Sequence, residues 1–195
     1  MRKLNILHLS WLRQTGREAL SYNDNMRLRK LMQRLPDDAL FYKVYHKWIK
    51  DHIAPHYNNQ ISYSAHPKMR VHLAQTGCVS AFHEDADVTK REEQINCYLP
   101  FTDVYDGCSL FVETGYGKGD YEAINLKYGQ ALIWDGGRLR HGTRFNDTPT
   151  TRVSCDFRFK PLDLEHTPSP WCDVLADRPI QTLIPTDKNV AEGYH

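Results

Sequence analysis

The chain contains 195 residues, of which 41% are hydrophobic and 25% charged, and its formal net charge is +1 at pH 7. This length and composition favour one domain with a substantial core. Lys and Arg are balanced by acidic residues and scattered along the chain, so we expect no nucleic-acid partner. Polar residues interrupt the apolar run within residues 1–12. We therefore expect neither a signal peptide nor a membrane span there, and no membrane partner.

The cysteines indicate the redox compartment. They are odd in number, and none is spaced as Cys-x-x-Cys. The five are Cys78, Cys97, Cys108, Cys155 and Cys172. An odd count without metal-type spacing favours free thiols, which are typical of a reducing compartment. We therefore predict five free thiols and a cytoplasmic location.

The N-terminal part of the chain is predicted to be helical. Residues 1–20 have no strong period, and residues 5–7 suit a short strand. Apolar residues recur at helical spacing over 24–35, and Pro36 ends this helix. A second helix is predicted over 38–53, with an aromatic stripe that we expect to pack on the outside of a sheet. The stripe consists of Phe41, Val44, Tyr45, Trp48 and His52.

The pattern changes to short alternating runs between residues 61 and 160, with Gly, Asp and Asn between them. The candidate strands are 61–65, 69–75, 79–83, 94–101, 108–114, 121–126, 130–134 and 151–159. About eight strands at this spacing predict a barrel or jelly roll. We expect a single, mainly β, α+β domain over 1–195. Residues 1–60 would be its helical support, 61–160 its core and 161–195 an extended, proline-containing tail.

Three strands have one apolar face and one polar face. They are the strands predicted at 69–75, 94–101 and 151–159. In an ordinary sandwich the polar face would meet solvent. Here it carries side chains suited to ligand binding, among them Asn96, Tyr98 and Arg152. We expect these side chains to share an internal cavity, while the apolar outer face packs under the N-terminal helices.

A metal-type motif lies at the end of the third predicted strand. His83 and Asp85 are two residues apart, so on an extended strand both side chains leave one face. His141 follows 58 residues after His83. Two imidazoles and a carboxylate form the facial triad of non-heme Fe(II) oxygenases. A polar loop remains the alternative for His-x-Asp taken alone.

A second motif follows the distant histidine. Arg152 and Ser154 lie on one face of the last predicted strand. A guanidinium fork beside a hydroxyl suits a carboxylate bound through both oxygens. The carboxylate cosubstrate that accompanies such a triad is 2-oxoglutarate. We therefore predict Fe(II) and 2-oxoglutarate as cofactors.

Two loops stand out by composition, one charged and one rich in glycine. The charged run 87–93 follows the metal motif and is predicted to be a solvated loop, with a lid as the alternative. The Gly-rich run 115–120 precedes a strand rather than a helix, so we do not interpret it as a phosphate-binding loop.

Nearly half the chain carries a family resemblance. The stretches concerned are 70–72, 82–85, 94–102, 119–121, 138–143, Asn146 and 151–158. Through them the chain resembles the Fe(II)/2-oxoglutarate-dependent oxygenases, most closely the group typified by a streptomycin-biosynthesis protein and allied to phytanoyl-CoA hydroxylase. The resemblance implies a double-stranded β-helix, or jelly roll. It also implies His83, Asp85 and His141 on iron, and Arg152, Ser154 and Asn96 at the cosubstrate.

The implied reaction is hydroxylation of a small polar metabolite, amino-acid-like or sugar-like, with O2 as oxidant and succinate and CO2 as products. A halogenase of this family would carry a small residue in place of Asp85. The candidate substrate or supporting residues are Arg70, His72, Tyr98 and Arg158, each of which could instead make structural hydrogen bonds. We expect a monomer or homodimer.

Two other classes remain open. One is a non-catalytic, cupin-like protein that binds a metal or small acid, and the other is a cupin isomerase or lyase with a different metal. Neither needs a cosubstrate clamp, so Arg152 and Ser154 distinguish them from an oxygenase.

Overall fold

The computed structural model describes residues 3–90, 94–162 and 180–183. Its α-helices are α1 (Leu7–Thr15), α2 (Tyr22–Met32), α3 (Leu40–His52) and the short α4 (Asp85–Thr89). Short 3-10 helices cover Leu4–Ile6, Ala54–Tyr57 and Asp106–Cys108. Helix α1 ends at Gly16, whose φ of 65° lies in the left-handed region that favours glycine. Helix α2 begins with a capping box between Ser21 and Asp24.

The strands form two antiparallel sheets. They are β1 (Ile61–Tyr63), β2 (Lys68–His72), β3 (Ile95–Pro100), β4 (Leu110–Glu113), β5 (Tyr121–Ile124), β6 (Ala131–Trp134), β7 (His141–Gly142), β8 (Arg152–Pro161) and β9 (Ile180–Leu183). The six-stranded sheet has the order β1-β8-β3-β6-β9, with β2 also paired to β8, and the three-stranded sheet has the order β5-β4-β7. This mixed α+β architecture agrees with the predicted class. The strands described do not close into the predicted barrel.

The long strand β8 organises the larger sheet, because β1, β2 and β3 all pair with it. Its residues Cys155, Phe157 and Phe159 are buried. Phe157 and Phe159 belong to a core cluster that also contains Tyr45 and Ile49 of α3. The apolar face of β8 therefore packs under a helix, as predicted, and its polar face points the other way.

Helix α3 buries a slightly different stripe from the predicted one. Tyr42, Tyr45 and Ile49 are its buried residues. Their spacing of three and four places them on one helical face. The prediction was right for Tyr45 and wrong for Val44, which is 45% exposed.

Helix α2 runs along the free edge of β2. The buried Asn25 accepts a hydrogen bond from the Leu73 amide at 2.8 Å, and Gln33 accepts one from the Met69 amide at 3.0 Å. These side chains satisfy edge amides that would otherwise be open to another strand. Leu28 of the same helix packs with Val71 and Leu73 on the apolar face of β2.

Several predicted elements differ from the structure. Residues 5–7 are helical, not a strand. Residues 79–83 form only a bridge at His83, because their backbone amides bond to His141 and to the side chain of Thr143. Strands β7 and β9 and helix α4 were not predicted. Apart from its start and β9, the predicted tail 161–195 lies outside the described residues, and none of the described helices is long and apolar enough to span a membrane.

Candidate metal centre

Backbone pairing brings the two motif histidines together. The amide of His83 donates to the carbonyl of His141 at 3.0 Å, and the amide of His141 returns the bond at 3.0 Å. The chain then turns into α4, and the Asp85 amide donates to the Gly136 carbonyl at 2.9 Å. His83 and Asp85 thus come together with His141, 58 positions after His83, where β7 begins and beside the loop that follows β6.

The histidines present the same nitrogen to the space between them. Nδ1 of His83 lies 2.7 Å from the Ala81 carbonyl, and Nδ1 of His141 lies 2.9 Å from the Leu139 carbonyl. A carbonyl oxygen only accepts, so Nδ1 carries the proton in each bond and Nε2 keeps its lone pair. Such second contacts fix the tautomer and orientation of metal-binding histidines.

The ligand atoms suit a single ion. One ligand atom each from His83, Asp85 and His141 lies within 4.8 Å of the others, and Nε2 of His83 is 3.4 Å from Oδ1 of Asp85. No other group of three or more potential ligands occurs in the described part of the chain. Asp85 and His141 are buried, whereas the His83 side chain is 31% exposed. The donor set fits a divalent cation with positions left open towards the cavity.

The protein holds the Asp85 carboxylate firmly. Arg158 donates to both oxygens, from Nε to Oδ2 at 2.7 Å and from Nη2 to Oδ1 at 2.6 Å. Asn96 donates to Oδ2 at 2.6 Å. Burial opposes the charged form, but hydrogen bonds, among them those donated by Arg158 and Asn96, hold the pKa of Asp85 well below its usual range. The ligand is therefore a fixed carboxylate.

Arg152 lies beside this centre as a buried charge. It is 2% exposed, and Nη1 donates to the carbonyls of Cys108 at 3.2 Å and Ser109 at 3.0 Å. Its Nε has no hydrogen-bond partner, and no acidic side chain pairs with it among the described residues. A buried cation in this state is unfavourable unless a ligand compensates for it.

Two buried hydroxyls near Arg152 have no hydrogen-bond partner other than each other. They belong to Tyr98, which is 3% exposed, and Ser154, which is fully buried. Burial raises the pKa of Tyr98, although the charge of Arg152 and a hydrogen bond from Ser154 oppose the rise. Tyr98 and Arg152 line one cavity with the three candidate metal ligands. These groups fit an acidic, oxygen-rich ligand placed next to a metal ion.

The remaining predicted residues have different surroundings. Arg70 pairs with Asp156 through Nε at 2.6 Å and Nη2 at 3.2 Å, and it lines the cavity. His72 is fully buried, and its Nε2 lies 3.0 Å from the Gly77 carbonyl. Burial and the charge of Arg152 lower the pKa of His72 to about 3. Of the four candidate substrate residues, Arg70 and Tyr98 therefore face the cavity, Arg158 supports Asp85 and His72 is tied to the backbone.

Sequence reasoning missed some residues that shape the site. Trp134 lines the cavity, and its buried indole nitrogen has no partner within the part of the chain described. Trp134 alternates with Ile133 along β6, and this alternation could have placed Trp134 on the face of the cavity. Gly142 lies so close to residue 82 that an added Cβ would meet the Phe82 backbone at 2.9 Å. Glycine there lets His141 approach His83.

The charged run 87–93, predicted to be a solvated loop with a lid as the alternative, is partly described. Residues 85–89 form α4, and Lys90 has a left-handed φ of 58° at its end. Residues 91–93 lie outside the described ranges. A lid stays a prediction.

No protein-family model matches the sequence. Among curated proteins, the streptomycin biosynthesis protein StrG of Streptomyces griseus is 30% identical over 155 residues, which cover 74% of this chain and 72% of StrG. The chain therefore belongs to the StrG family. This confirms the predicted resemblance to a streptomycin-biosynthesis protein. The name of StrG gives a pathway rather than a reaction, so the activity of this chain has to be inferred from its site.

Several solved structures align with part of the chain. The non-heme monooxygenase ThoJ, as its Ni complex, aligns with a TM-score of 0.47 and 17% identity over 60% of this chain and 51% of ThoJ. Apo ThoJ gives 0.48 and 16% over 60% and 53%, and EvdMO1 gives 0.47 and 13% over 56% and 30%. The chain spans about half the length of ThoJ and less of EvdMO1. At these TM-scores nothing about function follows.

Proposed function

We propose that this protein is an Fe(II)- and 2-oxoglutarate-dependent dioxygenase that hydroxylates a small polar metabolite, amino-acid-like or sugar-like. His83, Asp85 and His141 would hold the iron. Arg152 and Ser154 would bind the distal carboxylate of 2-oxoglutarate. We further propose that the two sheets are the halves of a double-stranded β-helix, within a single cytoplasmic domain.

The observation that carries this proposal is the state of Arg152. Its guanidinium is 2% exposed, has no carboxylate partner among the described residues, and shares the cavity of the candidate metal ligands. A carboxylate ligand would supply both the missing charge and the missing acceptor. Binding of a metal alone would not compensate for this buried positive charge.

The protein groups would divide the work. When bound, iron and 2-oxoglutarate supply the activation of O2, with one oxygen atom entering succinate and the other the substrate. His83 and His141 offer neutral Nε2 atoms, since each Nδ1 proton is engaged by a backbone carbonyl. Arg158 and Asn96 keep Asp85 charged and oriented. Trp134 and Leu110 form an apolar part of the cavity wall, which would help to exclude water from the reacting groups.

The test is a titration of 2-oxoglutarate into the anaerobic Fe(II) protein, followed by calorimetry. Losing a charge-assisted bond and leaving a buried carboxylate unpaired should weaken binding by roughly tenfold to several hundredfold in Arg152→Ala. Arg152→Lys should fall between this variant and wild type, because ammonium cannot form the planar fork. Iron affinity should hardly change, since Arg152 is not among the candidate ligands.

Arg34→Ala provides the control, because this exposed arginine lies on the turn after α2. It should bind 2-oxoglutarate as wild type does. Unchanged binding by Arg152→Ala, or no binding by wild type at millimolar concentration, would remove the main support for an oxygenase. If 2-oxoglutarate binds but a screen of small polar metabolites never releases succinate, a non-catalytic binding protein becomes the better description.

A further inference from the structure

The polar face of the larger sheet continues past the metal centre to the protein surface. Lys68 of β2 lies opposite Asp156 of β8, and Arg70 follows two residues later on the same face. The side chains of Arg70 and Asp156 are 21% and 16% exposed, and both line the cavity. Lys68 is exposed. This row, called the rim below, therefore runs from the exposed Lys68 to Arg70 and Asp156 in the wall of the cavity.

Helix α2 adds a cation to this rim. Asn25 bonds to the amide of Leu73, and Gln33, two helical turns later, bonds to the amide of Met69. Arg29 lies midway between them on the same helical stripe, so it is level with the middle of β2. Burial and the charge of Arg70 lower the pKa of Arg29, in keeping with this position beside β2.

The carboxylates of the rim are already engaged. Asp156 accepts both bonds from Arg70, and Asp85 accepts both bonds from Arg158. Arg29 and Lys68 make no side-chain hydrogen bond or ion pair within the described ranges, although they lie in the field of the same carboxylates. Partial burial of its side chain and the charges of Arg158 and Arg70 lower the pKa of Lys68. Arg29 and Lys68 are therefore the two cations of the rim that have no carboxylate partner of their own.

We propose that Arg29 and Lys68 bind an oxyanion group of the substrate, a phosphate or carboxylate, at the rim beside the Arg70–Asp156 pair. A substrate anchored there would extend inwards along the polar face of β8 towards His83. The neutral amino-acid-like and sugar-like compounds would then be poor substrates compared with their acidic or phosphorylated forms. The inference rests on the proposed oxygenase function only in calling the bound molecule a substrate.

The test titrates inorganic phosphate, and separately acetate, into the metal-free full-length protein and follows amide shifts by NMR. An Arg152→Gln background removes the other buried cation that could take an anion, and omitting metal prevents phosphate from binding iron. Saturable shifts should appear around β2 and α2. The double variant Arg29→Gln/Lys68→Gln should weaken the affinity by about tenfold or more.

Lys30→Gln is the matched control, because it removes an exposed cation from the next position of the same helix. It should leave the affinity unchanged. An equal loss in this control would mean that bulk charge alone attracts the anion, and would overturn the proposal. Unchanged affinity in the double variant, or no saturable shift with either anion, would also overturn it.

The two anions distinguish the sources of the oxyanion. Tighter binding of phosphate assigns a phosphorylated substrate, and tighter binding of acetate assigns a carboxylic acid. Because the titration uses neither metal nor 2-oxoglutarate, its outcome is separate from that of the oxygenase test. If no anion binds at the rim but 2-oxoglutarate still binds, only the proposed substrate class is rejected. If an anion binds at the rim but 2-oxoglutarate does not bind, only the oxygenase function is rejected.

Discussion

Asp85 shows how one residue can be held in place by the protein as well as offered to a metal. Arg158 contacts both of its oxygens, while Asn96 donates to Oδ2 alone. Oδ1 is the oxygen that faces His83, at 3.4 Å from Nε2. Asn96 therefore fixes Oδ2 and leaves Oδ1 directed to His83. The family resemblance implies Asn96 at the cosubstrate, and its buried Oδ1 has no hydrogen-bond partner among the described residues. We propose that its Nδ2 also orients the Asp85 carboxylate for a metal.

Asn96→Ala should weaken binding of Fe(II), or of Co(II) as a stable substitute, by roughly 10–100-fold, the range typical of residues that orient metal ligands. Substitution of this neutral amide does not change the net charge, so the effect reports orientation. The affinity for 2-oxoglutarate, measured once the metal site is saturated, should change much less. Calorimetric titration of metal into the apo protein gives the comparison.

Asn23→Ala serves as the control, because it removes an exposed amide far along the chain. The opposite pattern, with metal affinity kept and 2-oxoglutarate affinity lost, would return Asn96 to the cosubstrate.

At the scale of elements, α2 and β2 depend on each other. An unprotected edge strand tends to pair with other chains. Asn25 is fully buried, donates to Thr76 Oγ1 at 2.9 Å and accepts from the Leu73 amide at 2.8 Å. These bonds link the helix to both the end of β2 and the turn that follows it.

Asn25→Ala should lower the free energy of unfolding by about 1–3 kcal/mol, because it leaves the buried Leu73 amide without its acceptor and removes one of the two hydrogen bonds of the Thr76 hydroxyl. Urea unfolding monitored by circular dichroism measures the change. Asn23→Ala, on the exposed side of α2, should fall within about 0.5 kcal/mol of wild type. Equal stabilities of the Asn25 and Asn23 variants would show that the helix does not depend on this contact.

At the scale of the whole molecule, a buried histidine should make stability depend on pH. The pKa of His72 is lowered from 6.5 to about 3 by burial and by Arg152. Between these values the unfolded chain binds a proton that the folded chain does not bind. This contribution to stability is therefore fully present above pH 6.5 and is lost as the pH falls towards 3.

His72→Gln should flatten this dependence, since glutamine does not titrate and its amide can still donate towards the Gly77 carbonyl. The slope of unfolding free energy against pH should fall by up to about 1.4 kcal/mol per pH unit in the acidic range. Urea unfolding over a series of acidic buffers measures the slope. His56→Gln, at an exposed histidine, should keep the wild-type slope. If both variants keep it, His72 is not the group responsible.

Local patterns predicted much of this architecture. Alternation along residues 151–159 correctly separated the buried Cys155 and Phe157 from the polar Arg152 and Arg158. That separation follows from strand geometry alone, so neighbouring residues contain the information. The count and spacing of the cysteines likewise predicted free thiols. Cys78, Cys97, Cys108 and Cys155 are free, and Cys172 lies outside the described residues.

Local patterns could not predict which side chains of distant segments contact each other. The ion pair between Arg158 and Asp85 joins residues 73 positions apart. It depends on the register of β8 against β3 and on the turn into α4, neither of which is visible in a local period. For the same reason the sequence suggested Arg158 as a substrate contact. The chemistry of a side chain was predictable, but its partner was not.

The mutual backbone bonds between His83 and His141 have a consequence for how a metal would be acquired. Main-chain hydrogen bonds hold the two residues beside each other. Small domains built around structural zinc fold only when the metal arrives. Here the backbone joins two of the proposed ligands, so removal of the proposed ion by a chelator should leave the folded chain ready to take up another. Exchange of the metal would then be uncoupled from folding.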